Sequence, residues 1–239
     1  MAKKEHNRNM KFDPQILQDQ NSKLQAAKFF PSGPALSFGD KRIDDIFNGG
    51  LNSHAMHEIY GPAAVSLTSM IVSFTTGTII WIRPKNQLRQ LNPNGLSEIK
   101  NNINKYIIAY SNSKQILWAT EQAALSDACS AVVAEMEKPP NFVASRRLQL
   151  IARAHCTLVI VLPKNEKSIV PSAAETRLRA TSTPTSVHGS PRFHISLFKN
   201  KNGTKLDWEM EWHDPADRFS MVSLHSNRSN YPPSSNMAR

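Results

Sequence analysis

The segment from His57 to Phe74, HEIYGPAAVSLTSMIVSF, constrains the fold more than any other part of this sequence. It begins as a strand, turns at Gly61 and Pro62 among small residues, and continues directly into a helix. A strand that passes directly into a helix is the repeating unit of parallel α/β sheets. We therefore expect this strand to lie inside such a sheet.

The turn in this segment has the layout of a phosphate-binding loop but lacks the residue that contacts phosphate. In the pattern GxxxxGKT or GxxxxGKS, the glycines let backbone N–H groups surround phosphate, the Lys reaches the β- and γ-phosphates, and the hydroxyl binds Mg²⁺. Counted from Gly61, the last three positions are Ser66, Leu67 and Thr68. Leu67 has no charge, and Ser66 lacks the conformational freedom of glycine. We predict a degenerate loop, and weak nucleotide binding through the helix N-terminus is the alternative.

Apolar strands and helical segments alternate up to Pro163. Helices are predicted in SKQILWATEQAALSDACS and from about residue 141 to 155. Such alternation is typical of a mainly parallel sheet flanked by helices. The four strands predicted in this region are TIIWIRP, YIIAYS, SAVVAEME and TLVIVLP.

The pattern changes beyond Pro163, where polar and apolar residues alternate in ETRLRATST, RFHISLFKN and WEMEWHD with no helix between them. Alternation without helices favours an antiparallel extension of the sheet at its C-terminal side. Trp208 and Trp212 lie four residues apart, so they share one face of a strand. We predict that both pack in a core or subunit contact rather than stack on bases.

The length of 239 residues suits one domain with extensions. We predict a polar, helical N-terminal arm over residues 1–35, an α/β domain over 36–214 and a flexible C-terminal tail over 215–239, because both ends are polar and the last segment is rich in Ser, Asn and Pro. The two cysteines form no CxxC pair, and no run reaches the roughly 18 apolar residues of a membrane span. A reduced, cytoplasmic chain is expected.

The net charge of +10 is concentrated in one part of the chain. Residues 164–205 contain eight Lys or Arg against two Glu, a local balance of +6. Such a segment fits a surface that meets nucleic acid or an acidic protein. A set of solvated strand faces and loops is the alternative, because charge distribution alone does not distinguish the two.

Taken in order, several segments resemble the RecA-like inducible mutagenesis protein A family, an accessory factor for SOS-induced error-prone DNA synthesis. The resemblance covers roughly residues 36–214, and its specificity lies in the combination of segments rather than in any one of them. The matching segments are FGDKRIDDIFNGGL, HEIYGPAA, ILWATEQAALSDACSAVVAE, ASRRLQLIARAHCTLVIVLP, AAETRLRATSTP, RFHISLFKNKNG and WEMEWHD.

The resemblance implies a RecA-like P-loop-type core with a degenerate Walker A loop, acting through protein partners rather than by catalysis. The implied partners are the recombinase RecA, a Y-family polymerase-like protein and an error-prone replicative-type polymerase. No cofactor is expected, since ATP would find no Lys in the loop. The alternatives are an ATP-dependent DNA-binding ATPase of the RecA type and a relative of the SOS cell-division inhibitors.

Five further residues are candidates for a functional site. Glu135 ends the apolar strand AVVAE, where an active ATPase of this fold places a Walker B carboxylate, and a solvent-facing strand end is the alternative. Arg146 and Arg147 are adjacent on a predicted helix and point in different directions, so one of them is free to reach phosphate or a partner. Arg177 and Arg179 share a strand face and are the better candidates for contact with a partner or DNA. No metal-binding spacing and no catalytic set is found.

Overall fold

The structure is a computed structural model that describes residues 33–87, 90–99, 105–166, 170–185, 190–201, 203–213, 216 and 218–225. The predicted arm lies almost entirely outside the described residues. Five helices are described: α1 (Lys41–Ile46), α2 (Ala64–Ser73), α3 (Pro93–Glu98), α4 (Ile116–Leu125) and α5 (Phe142–Ala154). The strands are β1 (Ala35–Leu36), β2 (Leu51–Asn52), β3 (Met56–Tyr60), β4 (Ile79–Pro84), β5 (Tyr106–Ser111), β6 (Ala131–Met136), β7 (Leu158–Pro163), β8 (Thr176–Thr183), β9 (Arg192–Asn200), β10 (Leu206–His213) and β11 (Arg218–His225).

Nine strands form one mixed sheet in the order β11-β10-β9-β8-β3-β7-β6-β4-β5. The six strands from β8 to β5 are parallel to one another. Beyond β8 the sheet is antiparallel: β9 is antiparallel to β8, β10 to β9 and β11 to β10. The parallel strands all end at one edge of the sheet, which we call the carboxyl edge. The predicted α/β class, with a mainly parallel sheet and an antiparallel C-terminal extension, is confirmed.

Helices cover both faces of the parallel part of the sheet. Alternate residues of β6 show this division, because Val133 packs in the core beneath α1 and α2 while Val132 and Ala134 pack in the core beneath α4 and α5. All six residues of β6 are buried, as expected for a parallel strand covered on both faces. Trp208 and Trp212 are buried in the first core, as predicted.

Two of the sequence-based boundaries need correction. The segment 176–183 was grouped with the antiparallel extension, but β8 is parallel to β3 and antiparallel only to β9. The tail was predicted to begin at residue 215, but residues 218–225 form β11, which pairs with β10. Phe219 and Met221 of β11 are buried in the core, and the burial of these apolar side chains stabilises the strand.

The outer side of β11 is bonded to the beginning of the described chain. The N–H of Phe219 donates to the carbonyl of Phe38 over 2.8 Å, and that of Met221 donates to Asp40 Oδ2 over 2.9 Å. Asp40 also caps α1 and pairs with Arg42. The hydrogen bond from Arg42 holds the pKa of the Asp40 carboxyl well below its usual range. Within the described part of the chain, no helix is long and apolar enough to span a membrane.

Candidate functional site

The turn between β3 and α2 is tight and lies directly against β8. Gly61 has a φ of 99°, and a Cβ added there would lie 2.2 Å from the carbonyl oxygen of Ala180 on β8. The N–H of Ala63 donates to that same carbonyl over 3.2 Å. Glycine is therefore required both by its backbone conformation and by the close approach of β8.

The residues that align with the phosphate-binding positions lie inside α2 instead of in a loop. The helix begins at Ala64, and Ala63 caps it without a side-chain hydrogen bond. Leu67 is 0% exposed and packs in the core, Thr68 is also buried, and Ser66 is exposed on the outer face. A side chain at position 67 therefore points into the protein, where a Lys would not reach phosphate.

A surface cleft of about 470 Å³ lies beside Ser66, between α2, α3 and the start of β9. Its volume is within the usual range for small-molecule sites. Most of its lining is apolar, including Leu91, Phe193 and Trp212, and the described residues that line it include no charged side chain. None of the described residues at the cleft supplies a cation to balance a polyphosphate.

Glu135 is buried in an ion pair, which corrects the alternative of a solvent-facing strand end. Glu135 Oε1 lies 2.6 Å from Arg83 Nε and accepts a hydrogen bond from Trp81 Nε1 over 2.8 Å. Arg83 Nη2 donates to Glu135 Oε2 over 3.2 Å. Both carboxylate oxygens are therefore occupied, and the adjacent guanidinium balances the charge that would otherwise attract a metal ion.

Arg177 is also buried, so of the two strand residues predicted to contact a partner or DNA, Arg177 and Arg179, the first does not reach the surface. Arg177 Nε donates to Glu58 Oε2 and its Nη2 donates to the Tyr60 hydroxyl, both over 2.7 Å. The Tyr60 hydroxyl donates to Glu58 over 2.5 Å, and Ser172 donates to the other oxygen of the same carboxylate. Burial, together with the charge of Glu58, raises the pKa of Tyr60.

Arg179 remains at the surface of the same strand. Its side chain is 43% exposed, and its Nε lies 2.8 Å from Glu166 Oε2. An exposed ion pair of this kind contributes at most about 1 kcal/mol to stability. Arg179 can therefore exchange Glu166 for an external anion at small cost, whereas Arg177 cannot leave its buried carboxylate.

Arg146 and Arg147 point in different directions from α5. Arg147 donates to Glu121 Oε1 of α4 through Nε over 2.7 Å and so joins the two helices. Arg146 is exposed. The predicted site residues thus do not meet in one place, since the α2 turn, the Glu135 ion pair, Arg177 and the two helical arginines belong to separate surroundings.

Sequence reasoning missed the partners that bury these charges. Trp81 and Arg83 alternate on β4 and so share the face that meets Glu135, and Glu58 and Tyr60 alternate on β3 in the same way beside Arg177. A charged residue inside an apolar strand was the available signal. Its partner could be identified only with the order of the strands.

The described residues contain no group of three or more His, Cys, Asp or Glu that could hold a metal ion. In comparisons with known proteins, no family profile matches this chain and no curated protein matches it.

Proposed function

We propose that this chain is a non-catalytic, RecA-like accessory protein of SOS-induced mutagenesis and translesion DNA synthesis, which acts by binding recombinase and error-prone polymerase partners. The sequence resemblance over residues 36–214 supplies the biological setting. The sheet, with a strand-turn-helix unit at its centre and helices on both faces, is compatible with a RecA-like core. The partners would be RecA, a Y-family polymerase-like protein and a replicative-type polymerase.

The burial of Leu67 is the observation that carries this proposal. A phosphate-binding Lys must extend from the start of the helix toward the ligand. Position 67 faces the core, and the carbonyl of Ala180 fills the space next to Gly61. The pairing of Glu135 with Arg83 adds independent support, because this carboxylate is then bound within the protein, just as position 67 is buried in it.

Binding through surface arginines is the mode of action that we infer. Arg146 is exposed on α5, Arg147 is half-exposed, and Arg179 holds an exchangeable ion pair. Guanidinium groups bind carboxylates and phosphates in bidentate fashion, which suits both acidic proteins and DNA. Arg177 serves this surface only indirectly, by fixing β8 against β3.

A pull-down of the purified recombinase and polymerase subunits tests the proposal. We expect at least one of them to bind the wild-type chain, and Arg179→Glu combined with Arg146→Glu to weaken that binding at least tenfold. Lys205→Glu is the matched control, because Lys205 is exposed at the opposite edge of the sheet. Arg177→Glu is unsuitable, since it would place two carboxylates together in the core. Failure of every partner to bind would overturn the proposal.

An ATPase assay on the same preparation separates the alternatives. The accessory role predicts no hydrolysis above background, with or without DNA. Hydrolysis that Glu135→Gln abolishes would instead favour a DNA-binding ATPase of the RecA type. Overproduction that blocks septation without changing mutation frequency would favour a relative of the cell-division inhibitors.

A further inference from the structure

Large apolar side chains are exposed at the start of two neighbouring helices. Trp118 in the first turn of α4 is 53% exposed, and Phe142 and Val143 at the start of α5 are 55% and 71% exposed. Exposed apolar residues of this size usually mark an interaction surface when they occur together. Whether they form one surface depends on how the two helices are aligned.

The ion pair between Glu121 and Arg147 shows that the helices are aligned side by side. Each helix follows a parallel strand, so both begin at the carboxyl edge. Glu121 is the sixth residue of α4 and Arg147 is the sixth residue of α5, and their side chains meet at 2.7 Å. The first turns therefore stand level with each other, about 8–10 Å apart as packed helices are. Trp118 and Phe142 consequently lie at the same end of two neighbouring helices.

A row of lysines follows the strand ends at the same edge. Lys114 follows β5, Lys85 follows β4, Lys138 follows β6 and Lys164 follows β7. Backbone hydrogen bonds hold these strand ends together, since Lys85 N donates to Ser111 O and Lys164 N donates to Met136 O. Neighbouring strands are about 4.8 Å apart, so the four strand ends span roughly 15 Å.

The carboxylates near this row are already neutralised by the chain itself. Glu121 pairs with Arg147, and Glu137 pairs with Lys164 over 3.0 Å. Lys85, Lys114, Lys138 and Arg146 are exposed, and none of them has an ion-pair partner among the residues that the structure describes. The edge therefore carries uncompensated positive charge, to which the N-termini of α4 and α5 add.

We propose that this surface, formed by Lys85, Lys114, Trp118, Lys138, Phe142 and Arg146 and called here the carboxyl-edge surface, binds single-stranded nucleic acid. Cations beside exposed aromatic rings match a strand whose phosphates are charged and whose bases are free to stack. A duplex hides the faces of its bases, and an acidic protein would use the cations but leave the rings without a stacking partner. The proposal goes beyond the accessory function and does not depend on it.

The fluorescence of Trp118 provides a direct probe of nucleic-acid binding. Trp118 is exposed, whereas Trp81, Trp208 and Trp212 are at most 2% exposed. Stacking of a base on Trp118 should therefore quench the part of the tryptophan fluorescence that comes from Trp118. We expect quenching on titration with an oligothymidylate of about 20 nucleotides, and affinity that falls steeply with salt. Trp118→Phe should remove the quenching while a labelled oligonucleotide still binds by anisotropy.

Substitutions separate stacking from charge. We expect Trp118→Ala to weaken binding about 5- to 150-fold, the range found when one stacking ring is removed. Lys138→Glu with Arg146→Glu should weaken it at least as much, while Lys205→Glu, the same charge change per residue at the opposite edge, should have little effect. Thermal unfolding of each variant confirms that it is folded. Oligouridylate in parallel shows whether DNA or RNA is preferred.

Three outcomes would overturn the proposal. One is an oligothymidylate that fails to bind the wild-type protein at low salt. Another is binding that Trp118→Ala and the double charge reversal leave unchanged. The third is polyglutamate that binds the surface while oligonucleotides do not, which would assign it to an acidic protein. None of these results bears on the recombinase and polymerase pull-down, so the two proposals can fail separately.

Discussion

Arg83 and Glu135 form a buried ion pair between neighbouring parallel strands, with Arg83 Nε 2.6 Å from Glu135 Oε1 and both side chains 4% exposed. Two charges removed from water remain stable there because each neutralises the other and Trp81 supplies a further hydrogen bond. The pair leaves neither oxygen of the Glu135 carboxylate without a partner.

Removing one member of this pair should be more costly than removing both. Arg83→Met leaves the Glu135 charge buried without its cation, and we expect a loss of about 3–5 kcal/mol in the free energy of unfolding. The double variant Arg83→Met with Glu135→Leu should recover most of that loss. Urea denaturation measures both. Lys164→Ala, which breaks the exposed pair with Glu137, is the control and should cost at most about 1 kcal/mol. A double variant less stable than either single variant would contradict this account.

Gly61 is constrained by β8 as well as by its own backbone. Gly61→Ala should destabilise the protein by more than Gly49→Ala, although both glycines have positive φ, of 99° and 109°. The added methyl at 61 would collide with the Ala180 carbonyl, whereas nothing lies within 4 Å at Gly49. We expect about 1 kcal/mol at position 49 from backbone strain and at least about 3 kcal/mol at position 61. Equal changes in the melting temperatures of the two variants would contradict this account, because they would show that the contact with the Ala180 carbonyl costs no stability.

Restoring the missing Lys should not restore nucleotide binding. Leu67→Lys places a charge in the core, so we expect a loss of several kcal/mol or failure to fold, without any ATP affinity. Ser66→Lys is the matched variant one residue earlier, on the exposed side of α2, and should change stability by less than about 0.5 kcal/mol. Thermal shift with and without Mg-ATP tests both variants. Stabilisation of Leu67→Lys by Mg-ATP would refute the buried orientation of this position.

His57 should make stability depend on pH below neutrality. Its Nε2–H donates to the Asn52 carbonyl over 2.8 Å, and in the neutral ring Nδ1 accepts from the Thr176 hydroxyl, 2.7 Å away. Burial lowers the pKa of this histidine below 6.5. The unfolded chain therefore takes up a proton at higher pH than the folded one, and stability present above about pH 6.5 is lost as the pH falls.

The corresponding measurement is the free energy of unfolding in urea between about pH 7 and pH 5. We expect it to fall with pH in the wild type and to fall less in His57→Gln, whose amide does not titrate. Comparing the two at each pH removes the contribution of the other histidines. Parallel curves would mean that His57 is not the group responsible.

The sequence predicted the elements of this fold more completely than their contacts. YIIAYS was predicted as a strand and forms β5 over the same residues, because a short apolar run between polar segments leaves few alternatives. The burial of Trp208 and Trp212 followed from their spacing on one strand face. Both inferences use only local periodicity.

The errors concern relations between distant parts of the chain. Periodicity placed Arg177 and Arg179 on one face. It could not show that Glu58, 119 residues away in the sequence, lies on the neighbouring strand and accepts a hydrogen bond from Arg177. The alternative of a solvent-facing Glu135 fails for the same reason, since its partner Arg83 becomes a neighbour only through the order of the strands. β11 was missed because a strand with few core residues resembles a polar tail until β10 lies beside it.

The hydrogen bond between Met221 N–H and Asp40 also has a consequence for how the chain folds during its synthesis on the ribosome. Residues 40 and 221 lie 181 positions apart, so Asp40 is synthesised long before the Met221 N–H from which it accepts a hydrogen bond. Until then β10 is an open edge strand, and such edges pair readily with other chains. The last described strand, β11, therefore protects the finished sheet from pairing with other chains, and a chain truncated at residue 214 would retain that exposed edge permanently.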